Sequence, residues 1–340
     1  MKLDFEIEDR EVIVFQMGKV ASTAIVNSIQ NYGLKASQPH FLSMDSFVTL
    51  LSKFNDPEMT SFTATNLLGQ IQRNVIIHNK IQRQKRYHYR DEKGSSLLKV
   101  ITLAREPIGW YLSNFSQNYP EYERDIEDWL RYSHISGSVK ETSDKQRILI
   151  EFINEVIRFF DQSVPEIEGN IIQIFDQRVQ KTEGNIIQKL AALLDKDSAG
   201  YTRASEILVK HCIMLVRPLI WFEQHFDPVM GTHFQKMYFA KDLGYSTFKK
   251  DRMDILIIRF EDLAKIGPKV IGDFLGIEDF EMERDNISEK KEVGAIISSS
   301  IRHLNFSREF LDKIYNSSYC SKFYTEKHID DFKKRYLGNS

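Results

Sequence analysis

Hydrophobic residues along the chain follow two rhythms. Short apolar runs, rich in β-branched residues and bounded by polar ones, occur at Val12–Phe15, at "NVIIH" (74–78), at "LLKVITLA" (97–104) and at "MDILIIRF" (253–260). Such runs predict strands buried on both faces, as in a parallel sheet. Between them the spacing changes to three and four. Ser22 to Gln30 predicts a helix that Gly33 would stop. "SDKQRILIEFINEVIRFFDQ" has Ser143 and Gln146 at capping-box spacing and puts Leu149, Phe152, Ile153, Val156 and Phe160 on one face. "VIGDFLGI" (270–277) and "SREFLDKIYNS" (307–317) also read as helical. Strands alternating with helices predict an α/β fold. Its sheet is mostly parallel and flanked by helices, with ligands at the carboxyl ends of the strands. No low-complexity linker divides the chain, so residues 1–340 read as one domain with a helical insertion around 120–250. The hexapeptide "EGNIIQ" at 168–173 and 183–188 is too little for a repeat architecture.

Charge and composition narrow the partners. The net charge of −2 provides no overall basic field for nucleic acid. Two cysteines, Cys212 and Cys320, make neither a disulfide framework nor a cysteine-rich metal site, and fit a reducing compartment. The acidic start "MKLDFEIEDREVIV" does not read as a signal peptide, and no apolar stretch is long enough to span a bilayer. A cytoplasmic protein is expected.

The first chemical signal is "VIVFQMGKVASTAIVNSIQ" (12–30): strand, loop with Gly18-Lys19, helix. Helix N-termini after such loops hold anions through backbone N–H groups and the helix dipole. The G-x-x-x-x-G-K-[S/T] pattern of nucleotide-triphosphate loops fails here at two places: its first glycine falls on Ile13, and its Mg²⁺-holding hydroxyl on Val20. Ser22 and Thr23, three and four residues past Lys19, supply hydroxyls instead. This suits a phosphate compound whose transfer chemistry needs no magnesium. The plainer reading is a surface lysine before a capped helix. The second signal is "ITLAREPIGWYLSNFSQN" (101–118). Arg105 ends a predicted strand, Pro107 suits a first helical turn, and Ser113 follows eight residues after the arginine. Together Arg105 and Ser113 could grip a second phosphate.

These two motifs resemble the phosphosulfate loop and the 3′-phosphate site of sulfotransferases that use 3′-phosphoadenosine 5′-phosphosulfate. Lys19, Ser22 and Thr23 match the first pattern, with Gly18 in place of a proline and Ala21 in place of a glycine; Arg105, Pro107 and Ser113 match the second. "ILIIRFEDL" (255–263) and "DFLGI" (273–277) echo later elements. More closely, the chain resembles a bacterial group associated with capsular polysaccharide synthesis, through "QMGKV", "HFL", "ITLAREPI", "WFEQHFDPVMG", "GYSTF", "NISEKKEV" and "IYNSSYCSKFYTEKHIDDF" in that order. One departure is "GWY" (109–111), where that group has a second arginine.

The resemblance implies a three-layer P-loop-type fold and an enzyme with 3′-phosphoadenosine 5′-phosphosulfate as cosubstrate. The loop Gly18, Lys19, Val20, Ala21, Ser22 and Thr23 would hold the 5′-phosphosulfate. Arg105 and Ser113 would hold the 3′-phosphate, and the stretch with Asn286, Ser288 and Lys290 would lie over the nucleotide. The acceptor would be a hydroxyl or amine of a glycan or small natural product. Lys19 would stabilise the leaving phosphate. The general base stays open between His40, in "QPHFL", His78, closing the 74–78 run, and a carboxylate such as Glu106. The basic run Lys80, Arg83, Lys85, Arg86 and Arg90 reads as a solvated face, and His88 within it as a surface residue. "WFEQHFDPVMGTHF", with His225, Asp227 and His233, matches no zinc spacing and fits acceptor recognition or core packing. Two other classes stand beside this reading: an ATP-dependent P-loop kinase, and a non-catalytic nucleotide-binding protein of polysaccharide assembly.

Overall fold

The computed structural model of the chain describes residues 11–40, 42–43, 46–47, 50–51, 54, 59–86, 98–133, 145–163, 202–283, 296, 299 and 303–337. They form two compact units. The first takes residues up to Glu106 together with Trp221–Asn286; the second takes Pro107–Ile220 and the chain from Ile287 onward.

The first unit is built on a five-stranded sheet in the order β2-β1-β3-β5-β4. Its strands are β1 (Glu11–Val14), β2 (Lys35–Ser37), β3 (Leu98–Ala104), β4 (Tyr245–Lys250) and β5 (Met253–Arg259). All neighbouring pairs are parallel except β4 with β5. The centre is formed by the apolar runs that predicted it. Val12, Ile13, Val14, Val100, Ile101, Leu103, Ile255, Leu256 and Ile258 are all buried. β3 and β5 pair along their full length, from Leu98 opposite Met253 to Ala104 opposite Arg259. The edge strands carry weaker signals: β2 reads "KAS" and β4 "YSTFKK", each with exposed positions.

Helices flank this sheet. α1 (Ser22–Asn31) returns the chain from β1 to β2 and stops where Gly33 (φ +75°) donates its N–H to the Gln30 carbonyl at 2.9 Å. α2 (Ser61–Arg86) corrects one expectation: the apolar run at 74–78 is part of this helix, not a strand. Its buried positions Leu67, Ile71, Asn74, Ile77 and Ile81 keep helical spacing, whereas Val75 and Ile76 are exposed. α8 (Leu263–Leu275) follows β5 and ends on left-handed Gly276. Aromatic rings of "WFEQHFDPVMGTHF" pack in the core, with Trp221 and Phe226 against Phe15 and Phe222 against Phe234. Asp227 opens the short α7 (Asp227–Met230) and is used structurally there, accepting from Thr232 Oγ1 and Phe234 N at 2.6 Å each.

The second unit is helical: α3 (Pro107–Gln117), α4 (Tyr119–Tyr132), α5 (Lys145–Ser163), most of α6 (Thr202–Trp221), α9 (Arg308–Tyr315), α10 (Ser318–Phe323) and α11 (Glu326–Leu337). Its core joins Phe115, Tyr122, Trp129, Phe152 and the buried ring of His211. Ser307 caps α9 by accepting from Phe310 N, and Lys313 pairs with Asp161 at 2.8 Å. The repeated "EGNIIQ" segment and Ser143 lie outside the described residues.

One joint in the first unit makes a sharp stability test. Gly244 (φ +76°) ends the approach to β4, and its carbonyl accepts from Arg259 N at 2.8 Å. A Cβ on Gly244 would meet Asp262 Oδ2 at 2.3 Å, and Asp262 is held there by the buried Arg259 guanidinium at 2.5 Å. At Gly33, by contrast, a Cβ would meet nothing within 4 Å. Gly244→Ala should therefore destabilise by at least ~2 kcal/mol, against ~1 kcal/mol for Gly33→Ala, which pays only for left-handed backbone. Urea unfolding of both variants checks this; equal losses would show that the Asp262 contact does not constrain Gly244.

Candidate functional site

Parallel strands bring their carboxyl ends to one sheet edge. The loops leaving β1, β2, β3 and β5 there carry Gly18–Thr23, Gln38–His40, Arg105–Glu106 and Phe260–Glu261. The chain runs from β1 to β2 on one side and then crosses to β3 on the other, so the strand order reverses at β1. Such a switch point leaves a crevice above the sheet, the usual ligand position in open α/β folds.

The β1 loop is an unusual piece of backbone. Gly18, Lys19 and Ala21 have φ values of +83°, +57° and +56°. Left-handed backbone at lysine and alanine costs of order 1–3 kcal/mol per residue and persists only where the surroundings hold it. Four observations show what holds it here. Gln16, fully buried beyond the end of β1, accepts the Gly18 N–H on its Oε1. Val20 is fully buried and anchors the loop from below. The Ala21 carbonyl accepts from Ile25 N at 3.1 Å and opens α1. Finally, Arg105 Nη1 donates to the Lys19 carbonyl. The N-cap residue Ala21 has no side chain that could cap α1, and no acidic residue stands in the helix's first turn. A helix N-terminus of this kind favours an anion.

Arg105 is itself set in place by its neighbours. Its guanidinium lies 4.2 Å over the Phe260 ring, from the loop after β5. The next residue, Glu106, is buried, and its N–H donates to Glu261 Oε1 at 2.8 Å. Thus the "FED" after β5 fixes the exit of β3, which in turn aims Arg105 at the β1 loop. The two predicted motifs are brought together at Lys19 and Arg105. Ser113 lies half-buried on α3 in the second unit, so the site described here rests on the first unit.

An amide-rich network occupies the β1–β2 side. Gln38 Nε2 donates to Ser22 Oγ at 2.6 Å and reaches His40 Nε2 at 3.2 Å; its Oε1 accepts from Thr23 Oγ1 at 3.3 Å. His40 Nδ1 lies 3.3 Å from the Gln16 carbonyl. Gln16 Nε2 lies 3.4 Å from the same nitrogen, so the ring of His40 is held between the amides of Gln16 and Gln38. His40 stands three residues beyond β2 and is half-buried.

His78 is corrected in position. It lies inside α2, where its Nδ1 donates to the Leu42 carbonyl at 2.7 Å and its ring meets Phe47 edge-on. It braces the segment that follows His40 and does not close a strand. Of the basic run, Lys80 pairs with Glu11 at 2.5 Å and Lys85 donates to the Val229 carbonyl at 3.2 Å. Burial lowers the Lys85 pKa. Arg83 is exposed. Asn286, Ser288, Lys290, His88 and Arg90 lie outside the described residues.

Sequence reasoning missed Gln16, Gln38, Phe260 and Glu261. Gln16 had a usable signal, since an uncharged amide directly after an apolar strand must find buried partners. Glu261 is exposed along its stem while its carboxyl end packs against the β3 exit. Desolvation there pushes its pKa up to about 7; the nearby Glu106 carboxylate adds to the rise, and the Glu106 N–H and Arg105 oppose it. Water along the stem moderates the shift.

A family model described as "Putative capsular polysaccharide synthesis protein" matches residues 205–325. The matched stretch contains β4, β5, Phe260 and Glu261, but not the β1 loop or Arg105. Comparisons with curated proteins and with solved structures each return no match.

A titration follows from Glu261. A carboxyl whose folded pKa is raised favours the folded state while protonated. That contribution is complete below the ordinary 4.5 and is lost as pH climbs through about 7. Glu261→Gln keeps an acceptor for the Glu106 N–H and cannot ionise. It should flatten the fall in stability between those pH values and leave the variant more stable than the parent above pH ~7. Chemical denaturation across that range is the check. An unchanged slope would mean that Glu261 does not titrate against the fold.

Proposed function

We propose that the chain is a sulfotransferase that moves a sulfuryl group from 3′-phosphoadenosine 5′-phosphosulfate to a hydroxyl or amine of an acceptor. The observation that carries this reading is the meeting of Arg105 with the strained Lys19 loop at the sheet's switch point. One cation stands on a loop that leads into an uncapped helix N-terminus. A second reaches that loop from the neighbouring strand. A ligand with two separated phosphate groups matches such a pair of cations. The association of residues 205–325 with capsular polysaccharide synthesis supports a glycan acceptor.

In this reading the loop amides and the N-terminus of α1 bind the 5′-phosphosulfate, and Arg105 binds the 3′-phosphate. His40 Nε2 takes the acceptor's proton once the Gln38 amide yields that position. The acceptor oxygen or nitrogen forms its bond to sulfur as the bond from sulfur to the bridging phosphate oxygen breaks. The electron pair stays on that oxygen, where Lys19 meets the growing charge. The products are the sulfated acceptor and 3′-phosphoadenosine 5′-phosphate. Val20 presents hydrocarbon where a triphosphate loop places its metal-holding hydroxyl, and it is fully buried. Mg²⁺ therefore has no loop oxygen at that position.

Two outcomes are expected. The protein should bind 3′-phosphoadenosine 5′-phosphate at least ~10-fold more tightly than ADP, since one charge-assisted contact contributes about 1.5–3 kcal/mol. Arg105→Ala should erase the preference, and equal affinities in the parent protein would remove the basis of the assignment. In turnover assays with the cosubstrate and glycan pools, activity should persist in excess EDTA. His40→Ala should slow it by roughly 10²- to 10⁴-fold with little change in nucleotide affinity. An absolute magnesium requirement would favour the kinase class. Full activity of His40→Ala beside a dead His78→Ala would move the base to His78.

A further inference from the structure

A cavity of about 640 Å³ opens beside the network just described, lined by Gln38 and His40 on one side and by the first half of α2 on the other. That volume lies within the roughly 300–1,000 Å³ of pockets that hold small ligands. Its walls differ in chemistry. Leu67 and Met59 give one apolar surface, continuous with Leu50 and Ile71. Facing groups include Asn66, Gln70, Arg73 and Asn74. Asn74 is 4% exposed, and its Nδ2 has no hydrogen-bond partner. That nitrogen is itself sealed from solvent, so the polar groups that a ligand in the cavity can reach are those of Asn66, Gln70 and Arg73. No carboxylate is found among the described lining residues, whereas Arg73 supplies a fixed positive charge. Midway along this wall stands Gly69. A Cβ there would meet only Arg73 Nη1, at 3.6 Å. Glycine inside a helix costs ~1 kcal/mol relative to alanine, and here it keeps the wall low.

We propose that this cavity is the acceptor site and that it takes an acidic saccharide, a sugar chain bearing a carboxylate. A sugar ring has an apolar face for Leu67 and Met59 and hydroxyls for the amides of Asn66 and Gln70. Arg73 pairs with the carboxylate. His40, on the rim, belongs to both the cavity and the phosphate-loop network, so a hydroxyl held in the cavity lies toward the base. The inference rests on the sulfuryl-transfer reading for what the saccharide receives. Its binding chemistry stands on the cavity.

Calorimetry on the full chain without nucleotide tests it, using a glucuronic-acid-containing tetrasaccharide and its carboxyl-reduced form. The acidic form should bind at least ~10-fold more tightly, and Arg73→Gln should bring the two within about threefold of each other. Gly69→Leu should weaken the acidic form at least ~10-fold while leaving the thermal midpoint unchanged or higher, because it improves helix propensity. Equal binding of the two saccharides, no binding of either, or Gly69→Leu without effect would each overturn the proposal. Nucleotide binding is scored separately by thermal shift. Saccharide binding without nucleotide binding would overturn the sulfotransferase reading and leave the cavity assignment in place.

Discussion

The bond from the Arg105 guanidinium to the Lys19 carbonyl ties the exit of β3 to the loop after β1, and the rest of the site is arranged around it. The loop pays for two non-glycine residues in left-handed backbone, a conformation the chain would leave if nothing fixed its carbonyls. Arg105 can serve as the brace because β3 is locked on both sides, to β1 and along its whole length to β5. Phe260 and Glu261, just past β5, then close around the arginine and the residue after it. The sheet thus sets the position of Arg105, which in turn holds the shape of the Lys19 loop.

Much of this was legible in the sequence where one physical rule dominates. Burial on both faces of a parallel sheet selects β-branched runs, so β1, β3 and β5 stood out. Helical stripes and glycine stops marked α1, α5, α8 and α9 in the same way. The rule misled at 74–78. Three apolar residues in a row resemble a buried strand locally. The longer stripe of Leu67, Ile71, Asn74, Ile77 and Ile81 shows instead a helix that leaves Val75 and Ile76 in solvent. β2 and β4 were silent because edge strands carry polar residues that any loop could carry.

The site divides along similar lines. Lys19 and Arg105 were picked out because a cation just past a buried strand is chemically conspicuous, and the structure brings Arg105 onto the Lys19 carbonyl. Gln16 and Gln38 were not, since an amide has no signature until its partners are known. They nevertheless hold the ring of His40 and the hydroxyls of Ser22 and Thr23. The misplacement of His78 follows directly from the strand error. Its actual contact, on the Leu42 carbonyl, makes it a support for the segment after His40. Glu261 was quoted within a motif, but its work, holding the Glu106 N–H, depends on the pairing of β3 with β5 and could not be read from spacing.

The central claim is that two cations from neighbouring strands read two phosphate groups of one nucleotide. Phosphorus NMR of 3′-phosphoadenosine 5′-phosphate reports each group separately, and so addresses that claim without an acceptor. Titration with the protein should move both resonances. With Lys19→Ala the 5′ resonance should stay near its free position while the 3′ resonance still moves; Arg105→Ala, which removes both the 3′ contact and the brace of the Lys19 loop, should leave both resonances near their free positions. Two resonances that remain at their free positions in the presence of excess parent protein would contradict the account.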